Sequence, residues 1–172
     1  MKRDEMLREW IRAHGRMVIR TAYYYVKDKM IAEDIAQEVF LKAYAKIEEF
    51  RGTASVETWL YRITVNHCKD YVRSWAYRKL LVQQHFERAR DEGDLPEDVL
   101  VKKHRGEELL AMVMKLPVKD REVILLHYFE ELKVKEIAEI LSDKETTVRV
   151  RMMRALKKLR QKVEEEEAYG LL

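Results

Sequence analysis

Apolar residues recur every four positions through Ile31, Ile35, Val39, Ala43 and Ile47, and Ala32, Phe40 and Tyr44 widen the stripe, so residues 30–48 read as a strongly amphipathic helix. Leu7, Ile11, His14, Val18 and Thr21 carry the same spacing ahead of it. The polar break from Val26 to Lys29 makes these two helices a hairpin. After Phe50, Arg51, Gly52 and Thr53, a third helix starts near Ser55, an N-cap residue with Glu57 in the first turn. Trp59, Leu60, Ile63, His67, Tyr71 and Trp75 supply its apolar face. Periodicity then fades: from Gln83 to Gly106 charges alternate in sign, and Gly93, Pro96 and Gly106 interrupt any helix, which is the pattern of a linker.

Beyond the linker, Leu109, Leu110, Val113 and Leu116 form a short helix ended by Pro117, and Val123, Ile124, Leu126, His127 and Phe129 form the next. A third, Val134 to Leu141, is separated by Ser142 to Lys144 from a fourth that starts near Glu145. The expected fold class is therefore all-α, with two small helical domains at 1–80 and 107–172 joined by a flexible linker at 81–106.

Composition agrees with this outline. Only 5 Gly and 2 Pro in 172 residues weigh against a strand-rich fold, and 38% charged with 47% hydrophobic residues describes soluble amphipathic helices rather than a disordered chain. A single cysteine, Cys68, excludes an internal disulfide and a thiolate zinc cluster and fits a reducing cytoplasm. Met1 to Glu5 has no apolar signal stretch, and apolar runs such as Val123 to Leu126 are far too short to span a bilayer, so a cytoplasmic protein is expected. His14, His67, His85, His104 and His127 show no helical pairing of metal ligands, and no phosphate loop or nucleophile motif occurs. No metal, cofactor or small-molecule substrate is expected, and an enzyme reading has no anchor.

Charge is unevenly placed. Residues 1–80 carry 16 basic and 11 acidic side chains, whereas Thr146 to Val163 holds seven basic residues and no acidic one before the Glu164 to Glu167 run. Two short helices joined by a tight turn, the second cationic, form a helix-turn-helix pattern. Thr146, Thr147, Arg149, Val150, Met153 and Arg154 occupy the early turns that reach base edges in a major groove, and Arg149 or Arg154 can bond guanine bidentately. Arg151, Lys157 and Lys158, with Arg160 and Lys162 further on, are placed to meet phosphates. Charge alone equally fits a solvated face complementing the helix C-terminus. Small Ala138 in the preceding helix, which permits a close crossing, favours the DNA-binding alternative.

Arg62, Asn66, Lys69 and Arg73 form a second row, on the third helix, with aromatic rings nearby, a combination suited to single-stranded nucleic acid and also common on solvated faces. Asp34, Gln37, Glu38 and Lys42 line the polar side of the second helix, where helix-spaced ion pairs are the plain reading.

Taken together these segments resemble the extracytoplasmic-function (group IV) sigma factors of bacterial RNA polymerase. The likeness rests on residues 32–44 (AEDIAQEVFLKAY) with 58–66 (TWLYRITVN), and on Glu136-Ile137-Ala138 with Thr147-Val148-Arg149 and Arg151. It implies that the first domain opens and reads the minus-ten promoter element and the second reads the minus-thirty-five element. Asp34, Gln37, Glu38 and Lys42 would dock on the β′ clamp helices of core RNA polymerase, and the β flap would be a further contact. Phe50, Arg51, Gly52, Thr53, Ala54 and Ser55 would form the loop that pockets a flipped base, and Arg62, Asn66 and Lys69 would contact the non-template strand. Promoter DNA and an anti-sigma factor, often membrane-anchored, are the further partners implied. The linker would lie in the RNA exit path.

Three departures from the family pattern have physical consequences. Lys133 stands where a capping Ser or Thr is common and Ser142 where a turn glycine is frequent, each costing up to about 1 kcal/mol. Val150 replaces a polar residue, which turns base reading there toward an apolar contact such as a thymine methyl. Two rival readings are a self-sufficient dimeric repressor, for which no dimerisation heptad is present, and a metal-dependent nucleic-acid-processing enzyme, which would need clustered carboxylates on one surface.

Overall fold

The computed structural model describes residues 2–74, 78–79, 82–83 and 105–170, without the Arg105 side chain, and every element among them is helical. Their contacts fall into two units, Met1–Val99 and Leu100–Leu172. Trp75, His85, His104 and nearly all of the expected linker lie outside the described residues.

In the first unit α1 (Arg3–Val26) turns into α2 (Lys29–Ala45) through Lys27, whose φ of 56° is left-handed, and Asp28, whose carboxylate accepts from the Ile31 N–H at 3.0 Å. Buried Ala32, Ile35, Val39, Phe40 and Ala43 continue the stripe expected for α2. The expected helix to residue 48 ends earlier, at Ala45, and a 3-10 turn (Ile47–Glu49) folds Ile47 under the core. Ser55 caps α3 (Val56–Arg73) by accepting from the Thr58 N–H at 3.0 Å.

Two faces differ from expectation. In α1, Trp10, Met17, Val18 and the run Thr21 to Val26 are buried, while Ile11 remains 45% exposed. A single-stripe reading assumes one neighbour, but α1 packs on both α2 and α3 and so buries two sides of its C-terminal half. In α3 the buried stripe is Leu60, Tyr61, Thr64, Val65 and Cys68, about one residue's turn away from the Trp59–Ile63–His67–Tyr71 row, which is only half-buried. Thr64 can enter the core because its hydroxyl donates to the Leu60 carbonyl at 2.7 Å. Burial pushes the Cys68 thiol up to about 12, so it packs as a protonated, small apolar group.

The second unit contains α4 (Arg105–Met114), α5 (Val118–Ile124), a π turn (Leu125–Phe129), α6 (Val134–Leu141) and α7 (Glu145–Ala168). Gly106, expected to end the linker, lies in the first turn of α4. Leu110, Val113 and Leu116 are buried as expected, whereas Leu109 is 41% exposed. The π turn carries buried Leu125 and Leu126, with His127 and Phe129 half-buried.

Glu136 offsets the missing cap at Lys133 by accepting from the Lys133 N–H at 2.7 Å. Ser142 takes the left-handed conformation, φ 55° and ψ 38°, and the Asp143 N–H donates to the Ala138 carbonyl to close α6. A Cβ is strained there, so Ser142→Gly should stabilise the second unit by about 0.5–1 kcal/mol. Urea denaturation followed by circular dichroism reads the shift. An unchanged or lower midpoint would mean that the Ser142 side chain offsets its own backbone strain.

Candidate nucleic-acid interface

The helix-turn-helix pair is α6 and α7. Burial of Val148, Met152, Ala155 and Leu159 against the core turns the opposite side of α7 outward. Thr146, Thr147, Arg149, Val150, Met153 and Arg154 are all exposed on it, Met153 by 65% and Val150 by 40%. Arg149 has only a loose, exposed pairing with Glu145 at 3.7 Å, which leaves its fork accessible. Lys157 and Arg160 are exposed further along, while Lys162 is half-buried.

Arg151, expected at the DNA backbone, is 20% exposed. Its guanidinium turns inward, donating to the Lys119 carbonyl at 2.6 Å, to Asp143 at 3.1 Å, and to Glu122 through a short ion pair. Glu122 is 2% exposed, so the interaction is a desolvated, multiply bonded carboxylate–guanidinium contact joining α5, the α6–α7 turn and α7. Arg151 ties α7 to α5 and to the α6–α7 turn. Lys158 is also engaged, to Asp120 at 2.6 Å, but its side chain remains 52% exposed. Neither Arg121 nor Glu122 stands out in the sequence; the buried Arg121 donates to the Leu116 carbonyl at 3.0 Å and closes the end of α4.

In the first unit the loop between the 3-10 turn and α3 is anchored at its base. Phe50 packs on Trp59 with ring centroids 5.1 Å apart and on Trp10 at 5.9 Å, so its ring is committed to packing while Arg51, Gly52, Thr53 and Ser55 stay exposed and Ala54 is half-buried. Trp10 was not among the expected site residues. Gly52 has φ 69°, a left-handed conformation that favours glycine. Arg62 and Asn66 are exposed on α3, and Lys69 is half-buried with a polar partner.

Asp34, Gln37, Glu38 and Lys42 are exposed on α2, next to an apolar groove lined by Leu7, Ile11, Ile19, Phe40 and Leu41. Leu41 is 67% exposed and Met30 76%. Both fall off the buried stripe of α2, which is the sequence signal that would have marked them. Glu38 and Lys42 both reach His67 of α3: Glu38 Oε2 lies 2.9 Å from Nε2 and Lys42 Nζ 2.5 Å from Nδ1. Among the described residues no group of His, Cys, Asp and Glu is arranged to hold a metal ion, and no helix is long and apolar enough to cross a membrane.

Residues 10–78 match the family model for sigma-70 region 2, and residues 106–159 match that for sigma-70 region 4. The ECF RNA polymerase sigma factor SigW of Bacillus subtilis is 36% identical over 140 residues, 77% of this chain and 75% of its own length. The RNA polymerase sigma factor YlaC of the same organism is 32% identical over 176 residues, 97% and 99% of the two chains. Among solved structures, the sigma factor RpoE in complex with the anti-sigma factor NepR from Bartonella quintana aligns with a TM-score of 0.70 at 18% identity, covering 91% of this chain and 96% of that one. CnrH in complex with the cytosolic domain of CnrY aligns with a TM-score of 0.67 at 20% identity, covering 95% and 90%. At these identities the structural likeness concerns the fold.

The two cationic contacts of α7 predict different losses of stability. Arg151→Ala removes a close charged partner of the buried Glu122 carboxylate and the bonds to Asp143 and the Lys119 carbonyl, and should cost about 2–3 kcal/mol. Lys158→Ala removes a pair whose lysine side chain is 52% exposed and should cost less than about 1 kcal/mol. Chemical denaturation of both variants measures the difference, and equal losses would reduce Arg151 to an ordinary surface cation.

Proposed function

The chain belongs to the ECF RNA polymerase sigma factors, and from that premise we propose how its surfaces divide the work of promoter recognition. The second domain, which we place at residues 107–172 within the second unit, reads the minus-thirty-five element by laying α7 in the major groove. Arg149 and Arg154 bond base edges, Val150 and Met153 make apolar contact, Thr146 and Thr147 lie at the helix start, and Lys157 meets phosphate. The observation that carries this reading is that all six early-turn residues are exposed while the alternate stripe of the same helix is buried.

The first domain, which we place at residues 1–80 within the first unit, acts on the minus-ten element. The loop at Arg51 to Ser55, held at its base by Phe50, receives an unstacked base, and Arg62, Asn66 and Lys69 follow the single strand along α3. Asp34, Gln37, Glu38 and Lys42, with the neighbouring apolar groove, face the β′ clamp helices of core polymerase. The second domain also meets the β flap, and residues 81–106 link the two domains. The phosphoryl-transfer chemistry belongs to the polymerase, so this chain acts as an initiation factor in the cytoplasm. An anti-sigma factor occupies the same surfaces when transcription is off, a role supported by the anti-sigma complexes of RpoE and CnrH's bound partner CnrY among the structural neighbours.

Arg149→Ala and Arg154→Ala should each weaken holoenzyme binding to the cognate upstream element by about 1–3 kcal/mol, whereas Lys157→Ala should weaken cognate and scrambled elements alike. Gel-shift titration on the two DNAs reads the contrast. Equal losses for all three variants would make α7 an electrostatic clamp only.

Asn66 offers an amide, which discriminates base edges where a cation does not. Asn66→Ala should leave polymerase association and closed complexes intact while reducing open complexes, with partial recovery on a pre-melted bubble. Permanganate reactivity of thymines near the start site reports opening. Unchanged reactivity would assign Asn66 a structural role.

A further inference from the structure

His67 lies between the two surfaces of the first unit. Its side chain is 12% exposed, and it comes from α3 immediately after Asn66, yet both its ring nitrogens are bound to side chains of α2. Nε2 lies 2.9 Å from Glu38 Oε2, and Nδ1 lies 2.5 Å from Lys42 Nζ. A carboxylate only accepts and an ammonium only donates, so one protonation state satisfies both: the neutral ring with its proton on Nε2, donating to Glu38 and accepting from Lys42. Neither the opposite tautomer nor the imidazolium can accept from Lys42.

We propose that His67 is a positioning residue that holds Glu38 and Lys42 of the polymerase-facing surface in register with α3, the helix that carries the strand-reading residues. Glu38 is 62% exposed and Lys42 is exposed, and without the ring each long side chain would sample many rotamers. The ring restricts both before a partner arrives, which lowers the ordering cost of docking.

The charge environment agrees with the geometry. Burial, and then the Lys42 ammonium, hold the ring's pKa below its usual value against the opposing effects of Glu38 and of Asp70 on the same helix. A histidine whose folded pKa is depressed binds fewer protons than the unfolded chain between the folded value and about 6.5. The stability contributed by the neutral ring is therefore fully present above about 6.5 and declines as pH falls toward the lowered folded value, and the hydrogen-bonded arrangement itself breaks only as pH falls through that folded value. Protonation places an N–H against the Lys42 ammonium and releases that side chain.

The inference rests on the reading of Glu38 and Lys42 as polymerase contacts, so the test separates the two. Full-length protein is titrated with core polymerase by fluorescence anisotropy at about pH 7.5 and at a pH below the midpoint that the His67 ring nitrogen-15 shifts report for the folded protein. The proteins compared are wild type, His67→Gln, His67→Ala, Glu38→Ala and Lys42→Ala, each checked for native circular dichroism. The wild-type affinity should fall about three- to fivefold more on acidification than that of His67→Gln, whose amide keeps a donor and an acceptor but does not titrate. His67→Ala should bind about threefold more weakly at the higher pH, with His67→Gln restoring most of that loss. Nitrogen-15 shifts of the His67 ring should report a proton on Nε2 at the higher pH.

If Glu38→Ala and Lys42→Ala lose affinity while both His67 variants match wild type at each pH, the positioning role is overturned and the polymerase surface stands. If Glu38→Ala and Lys42→Ala bind as wild type does, the surface assignment fails and takes the positioning role with it. A ring protonated on Nδ1 alone would also overturn the proposal.

Discussion

A helix of 3.6 residues per turn that buries one stripe must aim another away from the core, and every candidate surface of this protein follows from that constraint. In α7, burial of Val148, Met152, Ala155 and Leu159 leaves Arg149, Val150, Met153 and Arg154 no direction but outward. In α2, the Ala32–Ile35–Val39–Ala43 stripe does the same for Asp34, Gln37, Glu38 and Leu41. Small residues sharpen the effect: Ala22, Ala32 and Ala43 have no exposed surface and let helix backbones approach closely, so there is little freedom for a helix to rotate about its axis.

Apolar burial alone does not specify rotation closely enough for reading bases, and the second unit adds a polar device. Glu122 is buried by α5 and would be costly there without a partner. Arg151 satisfies it and at the same time bonds the Lys119 carbonyl and Asp143, so displacing α7 breaks several charge-assisted hydrogen bonds together. An arginine of α7 thereby serves the helix's orientation, while its neighbours Arg149 and Arg154 remain outside. The same unit tolerates a left-handed serine in its turn, a local strain offset by the surrounding core.

In the first unit the corresponding rigidity comes from aromatic rings. Trp10, Phe50 and Trp59 meet edge-on or tilted at 5.1–5.9 Å, which holds the start of the loop without covering Arg51 to Thr53. A fixed base with an open tip suits capture of an unstacked nucleotide, because the loop need not be ordered at the moment of binding. His67 extends that organisation sideways, since the helix that leaves the loop also carries the ring to which two side chains of α2 are bound.

Much of this was legible in the chain. The stripes of α2 and α6, the break at Val26 to Lys29, the Ser55 cap and the cationic start of α7 are local patterns, and local patterns survive folding because they depend on spacing of three or four residues and on short-range capping. The family likeness likewise sits in contiguous residues. Other features required the tertiary structure. Whether α3 turns Leu60–Thr64–Cys68 or Trp59–Ile63–His67 inward depends on two neighbouring helices, and both rows have helical spacing. Arg151 and Arg149 are two residues apart in the same basic run, and the placement of Glu122, the Lys119 carbonyl and Asp143 turns one inward. His67 reads as a half-apolar face residue until Glu38 and Lys42 arrive from a different helix. Periodicity tells a side chain which face it shares; only the neighbour that packs there decides what that face becomes.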